Sequence, residues 1–294
     1  IAAVRNGAGA ANAKLEKPGW AFNGRIQDVR ILNRSLSGEE LDDLASEIIP
    51  EHLAKNIVAD FDFALEMKSD KAIDISPSKL TGQVVNAPER AVRGAFFKGS
   101  TVNWTLAPDQ YDAMGFHADD LYDAEWSSDF SYTIPEDLKS GIYAARLRIG
   151  GEDSPETEDY IPFVVRPPRG KTTSKLAFIL PTNAYMAYSN DNLCTNCVVA
   201  ELLAGKVPVM TAADLYLNEH REYGLSTYSL HSDGSGVCYS SRLRPILNMR
   251  PKYRHWLSPS LWQLNGDLHL IDWLEEKNFD FDIHTDEDLH REGV

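Results

Sequence analysis

Long apolar runs are absent from this sequence: none approaches the length needed to span a bilayer, and no basic segment followed by an apolar one opens the chain. Basic residues are also few, because 29 Lys and Arg stand against 44 Asp and Glu, which gives a formal net charge of −15. A chain of this charge repels phosphate groups. The sequence therefore predicts no nucleic-acid partner and no membrane partner, and we interpret the acidity as a source of solubility.

Cysteine is scarce as well. Three cysteines leave one unpaired, which disfavours a secreted disulfide framework and favours a reducing, cytoplasmic location. Cys194 and Cys197 form a C-x-x-C, and Cys238 together with His231 would complete four ligands for zinc. The simpler interpretation is that these are ordinary thiols close to the start of a helix.

Residues 1–50 are similar to the C-terminal part of a laminin-G or concanavalin-like sandwich. Ser37 and Glu40 have the spacing of a capping box that begins a short helix. Domains of this kind often bind sugars, but the residues present belong to the scaffold, so a carbohydrate-binding role and a structural role are both open. The apolar strand pattern is carried by Phe22, Ile26, Val29 and Ile31.

Residues 51–166 are predicted to form a second, Ig-like β-sandwich, because turns rich in Gly, Pro, Asp and Ser separate short apolar strands. In the strand at 142–149, the odd positions from Tyr143 to Ile149 would face a core while Arg146 and Arg148 reach water. The predicted strands cover residues 57–63, 82–85, 91–97, 130–134, 142–149 and 160–165.

The segment 119–125 is acidic and invites comparison with a calcium site, since hard cations bind several carboxylates. Its spacing is not that of an EF-hand loop, and no glycine occupies the turn position. We therefore interpret it as a solvated loop.

Residues 167–174 are the best linker in the chain, since prolines extend it and small polar residues loosen it. Beyond it, residues 175–294 change to a mixed α/β rhythm, with a fully buried strand at 176–180, helices near 192–203 and 260–277, and a strand at 279–283. Gly205 would end the first helix, and Thr285 with Asp288 predicts another capping box. The second helix would bury Leu261, Leu264, Leu268, Leu270, Ile271 and Leu274. This order predicts a doubly wound sheet.

Two stretches have the character of a functional site. Ligands of open α/β sheets bind beyond the carboxyl ends of the strands, and Tyr185 and Tyr188 follow the strand at 176–180 at once. Residues 223–245 lack any apolar period and combine glycines with polar side chains, as functional loops do. The polar residues of this second stretch are Tyr228, His231, Asp233, Ser240, Arg242 and Arg244.

These stretches carry a family resemblance. The segments NAYMAYSN, STYSLHSDGSGVCYSSRLRPILNMRPK and FDIHTDEDLHREG resemble the large, or beta, subunit of N,N-dimethylformamidase and its relatives, an amidohydrolase family with a mononuclear iron. The resemblance continues upstream through GFHADDLYDAEW, SGIYAARLR and YIPFVVRPPRG, so it covers roughly residues 50–294. It implies that the last 120 residues or so belong to a domain of the class I glutamine amidotransferase type. The fold class expected is therefore multidomain, with β-sandwich regions followed by an α/β domain that is incomplete at its C-terminus.

The resemblance also implies a ligand set, two tyrosines and one glutamate holding ferric iron. Tyr228 corresponds to one tyrosine, while Tyr185 and Tyr188 compete for the other, with Tyr188 favoured. The glutamate is expected beyond Val294, and the chain begins at Ile1 rather than Met, so we expect a fragment cut at both ends. A partner small subunit and an oligomer of large subunits are implied in the same way.

The chemistry of amide hydrolysis agrees with such a site. The reaction needs a strong nucleophile at neutral pH and charge stabilisation for a tetrahedral intermediate, and a bound cation supplies both. Phenolate and carboxylate are hard donors suited to ferric iron. His231 or Asp233 would orient or deprotonate the attacking water, and Asn190 would donate to the developing oxyanion. Arg242 and Arg244 would brace the loop through carboxylates or carbonyls.

Two other interpretations compete with the metal hydrolase. Thiol chemistry in the manner of glutamine amidotransferases needs a cysteine in a G-x-C-x-G elbow, and the segment around Cys238 lacks the second glycine. A non-enzymatic protein, in which the sandwiches bind a glycan and the α/β part is an inactive scaffold, is the alternative from another class. The substrate of the hydrolase would be a small neutral amide, which leaves no charge signature in a sequence.

Overall fold

The computed structural model describes residues 3–4, 20–46, 48–150, 158–196, 201–202, 205–257 and 260–293. The chain divides into two compact units. Unit 1 consists of Ile1–Tyr122 together with His231–Tyr239, and unit 2 consists of Asp123–Leu230 together with Ser240–Val294. Among the described residues, no helix has the length and apolar character needed to cross a membrane.

Unit 1 is built from antiparallel sheets. A three-stranded sheet has the order β3-β9-β8, a four-stranded sheet has the order β4-β5-β6-β7, and β1 pairs with β2. The strands are β1 Ala3–Val4, β2 Trp20–Ala21, β3 Gly24–Ile26, β4 Val29–Leu32, β5 Ile57–Asp62, β6 Lys71–Asp74, β7 Gly82–Gln83, β8 Glu89–Val92 and β9 Ala113–Phe116. Two short helices, α1 Gly38–Leu44 and α2 Glu51–Ala54, accompany them. The prediction of a β-rich region is confirmed.

The chain changes sheet between β3 and β4. β3 pairs with β9, whereas β4 pairs with β5, and Asp28 between them has a left-handed φ of 52°. The apolar pattern over residues 22–31 is therefore split by a turn, and both Phe22 and Ile31 are exposed. Its interpretation as one apolar strand pattern is wrong, because β3 and β4 are separate strands that pair in different sheets.

Local helix signals were accurate in unit 1. The Ser37 side chain accepts the Glu40 N–H, and the Glu40 carboxylate accepts the Ser37 N–H at 2.9 Å, so the predicted capping box is confirmed. The apolar core of this unit includes Leu53, Ala59 and Met114, each at most 1% exposed. Burial of a side chain the size of leucine or methionine stabilises a fold by about 1.5–3 kcal/mol.

Unit 2 combines an antiparallel hairpin with a parallel α/β pair. β10 Gly141–Arg148 pairs antiparallel with β11 Glu158–Val165, and β12 Ala177–Leu180 pairs parallel with β13 Asp282–Thr285. The helices are α3 Thr182–Ala187, α4 Leu193–Asn196, α5 Ala212–Glu219, α6 Leu264–Glu276 and α7 Asp286–Glu292. The structure thus contains a parallel pair followed on each strand by a helix, α3 after β12 and α7 after β13.

The core of unit 2 lies between the parallel pair and α6. Phe178, Ile142 and Val164 pack against this core from its edge. Strand β12 was expected to be fully buried, but Ile179 is 43% exposed while Leu180 is buried, because only one face of the strand is covered. The buried residues of the core are Leu180, Tyr185, Met249, Leu264, Ile271 and Ile283.

The predicted helix at 260–277 is present with shorter bounds, because α6 begins at Leu264. Leu264, Ile271 and Leu274 are buried as expected, but Leu270 is exposed and its prediction was wrong. The strand expected at 279–283 begins at Asp282, because the N–H of Phe279 still bonds to Leu274 O at 3.0 Å at the end of α6.

Two other sequence expectations concern the start of α7 and the strand β10. The capping box of Thr285 and Asp288 is confirmed at the start of α7. In the strand predicted at 142–149 the inward alternation fails beyond Ala145, since Leu147 is 42% exposed and Ile149, beyond the end of β10, is 78% exposed. Residues 130–134 form no strand. The β10–β11 hairpin packs through Ile142 and Val164 on the core of unit 2 instead. The predicted domain boundaries at residues 50, 166 and 174 stay predictions.

Candidate functional site

Two tyrosines from separate segments of unit 2 meet at the end of α3. The helix ends at Ala187 and is capped by Tyr188, whose N–H donates to Ala184 O. The carbonyl of Ala187 accepts both the N–H and the hydroxyl of Thr227, at 3.0 and 3.1 Å. These bonds hold the residue before Tyr188 against the residue before Tyr228. The two tyrosine side chains are brought together as a result.

The rings of Tyr188 and Tyr228 stack with centroids 4.2 Å apart and an interplanar angle of 16°. Interaction with the Tyr228 hydroxyl, together with partial burial, raises the pKa of Tyr188 to about 12. Tyr228 is 49% exposed, so one edge of the pair is open to solvent. The arrangement presents two phenol oxygens side by side.

An aromatic cluster supports Tyr188 from the protein side. Its ring makes an edge contact with Trp262 at 6.0 Å, and Trp262 in turn stacks on His255 at 4.7 Å. His255 Nε2 lies 3.1 Å from a carboxylate oxygen of Asp191, and the indole N–H of Trp256 donates to that oxygen at 3.3 Å. Asp191 and His255 are both buried. None of these supporting residues was singled out by sequence reasoning, because no local pattern links them.

Tyr185 is engaged elsewhere. Its side chain is buried in the core of unit 2, and its hydroxyl donates a short hydrogen bond to Asp267 of α6. Burial and the Asp267 carboxylate both raise the pKa of Tyr185 far above its ordinary value, which favours the neutral phenol.

Asn190 lies just after the tyrosine helix in a left-handed conformation, with φ 59°, and is fully buried. Its Nδ2 donates to Pro245 O at 2.8 Å and to Gly224 O at 3.2 Å, and its Oδ1 accepts the N–H of Leu247 at 3.0 Å. The amide thus ties its own segment to two others, one at Gly224 and one at residues 245–247. Its predicted role as an oxyanion donor stays a prediction, and the hydrogen bonds assign it to anchoring.

The two arginines of the loop have the bracing roles that the sequence indicated. Arg242 Nη2 donates to Glu287 at 2.7 Å, and Arg244 donates to Ser241 O and Leu225 O at 3.1 and 2.9 Å. Burial lowers the pKa of Arg244 to about 10. Both predictions, a carboxylate partner and carbonyl partners, are confirmed.

His231 and Asp233 belong to unit 1, where they meet residues that follow β9. The rings of His231 and His117 are parallel, with centroids 3.6 Å apart. His231 Nδ1 lies 2.6 Å from Asp119 Oδ1, and Ser235 Oγ, which donates to Asp233, lies 2.9 Å from His117 Nε2. Their predicted role in activating water stays a prediction.

Asp120 is the central carboxylate of this group, and burial raises its pKa to about 6. In contrast, hydrogen bonds from Ser235 lower the pKa of Asp233 to about 2. The interpretation of segment 119–125 as a solvated loop is wrong for Asp119 and Asp120, whose side chains are only 11% and 16% exposed. The run His117-Ala-Asp-Asp120, with a histidine three residues before a carboxylate, was the available signal.

Cys238 is an exposed, free thiol whose sulfur lies 3.7 Å from Glu89. Partial burial of the sulfur and the Glu89 carboxylate raise its pKa, the opposite of what activates a nucleophilic cysteine. Cys197 and the side chain of Cys194 lie outside the described residues, as does part of the helix predicted at 192–203.

A pocket of about 320 Å³ in unit 2 is lined by charged residues between β11 and the segment at 250–254. Its charges already pair, since Lys252 contacts Glu158 at 2.6 Å and Arg250 contacts Asp159 at 2.5 Å. Neither Tyr188 nor Tyr228 lines it. The pocket is therefore separate from the tyrosine pair.

Comparison with known proteins identifies relatives of the chain. The family model described as N,N-dimethylformamidase beta subunit-like, C-terminal, matches residues 89–294. The N,N-dimethylformamidase beta subunit of Paracoccus aminophilus is 41% identical over 279 residues, and that of Alcaligenes sp is 38% identical over 277 residues. Each alignment covers 93% of this chain and 36% of the relative, so the chain spans about a third of the length of these curated relatives.

Proposed function

The chain belongs to the family of the C-terminal region of N,N-dimethylformamidase beta subunits, and from this membership we propose that it is part of a hydrolase that cleaves a small linear amide into a carboxylic acid and an amine. N,N-dimethylformamide is the first substrate to test, because the curated relatives carry its name. The name beta subunit supports the further proposal of a partner subunit and a larger assembly.

The observation that carries this proposal is the convergence of Tyr188 and Tyr228. Two stacked phenol groups whose hydroxyls interact offer two hard oxygen donors, a donor set that suits ferric iron. The residues present therefore fit the iron that the family resemblance implies. Tyr185 fits less well, because its hydroxyl is buried and bonded to Asp267.

Ferric iron bound by these oxygens and a carboxylate would act as a Lewis acid toward the amide carbonyl and would lower the pKa of water. The residues of this chain hold and orient the two phenols. Thr227 joins the segments through Ala187 O, and Asn248 Nδ2 donates to Tyr188 O at 2.7 Å. Trp262 limits the movement of the Tyr188 ring, and the exposed edge of Tyr228 leaves room for substrate.

We extend the proposal to the fold of unit 2, as an α/β domain of the glutamine amidotransferase type. The parallel pairing of β12 with β13 supports it, as does the position of the tyrosine helix α3 directly beyond the carboxyl end of β12. Ligand sites of open α/β sheets lie at that edge. The concanavalin-like and Ig-like nature of the sheets in residues 1–166 is a proposal of the same kind.

The test uses the protein at its natural length, with iron measured by elemental analysis. Bound tyrosinate should add a charge-transfer band in the visible spectrum. We expect Tyr228→Phe and Tyr188→Phe to lose iron, the band and at least 100-fold of the amidase activity, because each removes one anionic donor. Release of dimethylamine from N,N-dimethylformamide reports the activity.

Tyr185→Phe is the matched control, because it removes a hydroxyl from the same helix without touching the proposed ligand pair. It should keep iron and the visible band. Absence of iron from the wild-type protein would contradict the iron-dependent hydrolase mechanism. The glycan-binding interpretation would then be favoured, and a measurement of sugar binding by residues 1–166 would test it. If Tyr185→Phe lost iron and Tyr188→Phe kept it, Tyr185 would be the iron ligand in place of Tyr188.

A further inference from the structure

A second cluster, distinct from the tyrosine pair, lies wholly within unit 1. Among the described residues, His117, Asp120 and His231 form a group whose potential ligand atoms all lie within 4.8 Å of one another. Two of its members come from the segment after β9, and the third from the segment at 231–239, which returns to unit 1 late in the sequence. The two segments are more than a hundred residues apart in the chain.

Each imidazole has one nitrogen committed to a hydrogen bond. His231 Nδ1 lies 2.6 Å from Asp119 Oδ1, an acceptor-only carboxylate, so this nitrogen carries the proton and donates. The Ser235 hydroxyl donates to Asp233 Oδ1 at 2.6 Å, so its oxygen is left to accept from His117 Nε2 at 2.9 Å. In the neutral form of each ring, the second nitrogen is then the one with the free lone pair.

Both lone pairs lie near Asp120. His117 Nδ1 is 3.5 Å from Asp120 Oδ2, and His231 Nε2 is 3.8 Å from Asp120 Oδ1. His117 Nδ1 is buried and has no hydrogen-bond partner, in a side chain only 3% exposed. Burying an acceptor without a donor costs free energy, and the group beside His117 Nδ1 here is another acceptor, the Asp120 carboxylate. A cation bound between them would interact favourably with both acceptors.

The charges of the cluster also favour a cation. With neutral imidazoles, the carboxylates of Asp119, Asp120 and Asp233 leave a local excess of negative charge. Asp119 and Asp120 are largely shielded from water, which makes the repulsion between them more expensive. A divalent ion bound beside Asp120 would compensate part of this charge.

We propose that His117 Nδ1, His231 Nε2 and Asp120 bind a zinc-like divalent ion, with Asp119 and the Ser235–Asp233 pair orienting the two imidazoles. Zinc bonds of about 2.0–2.1 Å in tetrahedral geometry separate neighbouring ligand atoms by roughly 3.4 Å, close to the spacings of 3.5 and 3.8 Å between each imidazole nitrogen and Asp120. The two rings are parallel with centroids 3.6 Å apart, so one imidazole must turn about its Cβ–Cγ bond for both lone pairs to point at the same ion. Two imidazole ligands argue against calcium and magnesium, which prefer oxygen. Carboxylate–histidine–metal arrangements of this kind are typical of zinc sites.

The main consequence is a cross-link between distant parts of the sequence. The site would tie the segment at 231–239 to the residues after β9, since each contributes one imidazole. Three protein ligands leave a fourth position for water, as in open zinc sites. The proposal does not depend on the amidase function, because the tyrosine pair contributes no ligand to it.

The test measures zinc binding by the metal-depleted, full-length protein through isothermal titration with Zn²⁺ alone. We expect the wild type to bind one zinc more per chain than His117→Gln and Asp120→Asn, or to bind at least 100-fold more tightly. Asp119→Asn, which changes only an orienting carboxylate, should weaken binding about 10–100-fold. His52→Gln, an exposed histidine of unit 1, is the matched control and should bind as the wild type does.

Thermal stability and the Co²⁺ visible spectrum test the site independently of the titration. Zn²⁺ should raise the thermal midpoint of the wild type and of His52→Gln but not that of His117→Gln, and Co²⁺ should give the visible bands of a tetrahedral N/O site only in the first two. Equal zinc stoichiometry and affinity in wild type, His117→Gln and Asp120→Asn would overturn the proposal. The cluster would then be a hydrogen-bonded histidine–aspartate group only.

Discussion

Asp74 illustrates how a single buried carboxylate can organise a loop. It lies at the end of β6, is 1% exposed, and accepts four hydrogen bonds. The donors are the N–H groups of Asp60, Ser76 and Leu80, at 2.7–2.9 Å, and the Ser76 hydroxyl at 2.9 Å. Burial alone would raise its pKa, but these bonds outweigh burial and lower the pKa to about 2.

The Asp74 carboxylate therefore stabilises the fold in a defined pH range. Its pKa in the folded state lies below its value of about 3.9 in unfolded chains, so the stabilisation is present above about pH 4 and is lost as pH falls through 2. Asp74→Asn should lower the thermal midpoint at pH 7 by roughly 3–10 °C, because its amide turns a donor toward N–H groups.

Thermal unfolding followed by circular dichroism between pH 2 and pH 7 measures this effect. The difference between Asp74→Asn and wild type should shrink as pH falls from about 4 toward 2. Asp109→Asn, at an exposed position of unit 1, should match the wild type throughout. If the difference in thermal midpoint between Asp74→Asn and wild type stayed constant with pH, the shape of the Asp74 side chain and not its charge would account for the stabilisation.

At the scale of elements, the tyrosine pair depends on loops braced by buried polar groups rather than on long helices. Gly224 sits in one of these loops with φ 81°, a left-handed conformation that favours glycine. A Cβ at this position would lie 2.1 Å from Arg244 Nη1. Arg244 itself is buried and bonds to Leu225 O, Ser189 Oγ and Ser240 Oγ.

Gly224→Ala should therefore combine backbone strain with displacement of a buried cation. We expect the free energy of unfolding to fall by about 2–4 kcal/mol. Gly205→Ala is the control within the same unit, because Gly205 has φ 64° and no atom near its missing Cβ, so only the conformational cost of about 1–2 kcal/mol applies. Urea unfolding compares the two.

Equal losses in Gly224→Ala and Gly205→Ala would indicate that Arg244 can move without cost. A larger loss in Gly224→Ala would attribute the excess to the arginine and its carbonyl partners. Iron content of the same variants in the full-length protein would then report whether the loop positions Tyr228.

At the scale of the whole molecule, excess negative charge is the dominant electrostatic feature. With 44 acidic and 29 basic residues, the folded chain carries a formal charge of −15, and self-repulsion of this charge destabilises a compact state. Raising NaCl from 0.01 to 0.3 M shortens the range of this repulsion from about 30 Å to below 10 Å. We expect the thermal midpoint of the 294-residue chain at pH 7 to rise with salt.

The control for this prediction is the same salt series near the pI of about 4.9. The net charge is close to zero there, so the effect of salt should be small or reversed. A thermal midpoint that falls with salt at pH 7 would mean that local ion pairs, such as Glu158 with Arg146 and Lys252, outweigh the net repulsion.

Features governed by near neighbours in the chain were predictable from sequence. Both capping boxes were correct, because a side chain and an N–H three residues apart decide them. The position of α6 followed from its apolar spacing, and several strands of the β-rich part followed from short apolar runs between turns. Exposure was less predictable, as Leu270 and Ile149 illustrate, because it depends on what covers each face.

Sequence alone determined the family resemblance, the acidic character and the two stretches that carry the polar residues. Tertiary structure decided which of these residues meet. Tyr185 and Tyr188 occupy the same short segment, yet one points to Asp267 and the other stacks on Tyr228. His117 pairs with His231 across more than a hundred residues. The physical reason is that such contacts arise from packing between distant segments, and no local propensity encodes the partner.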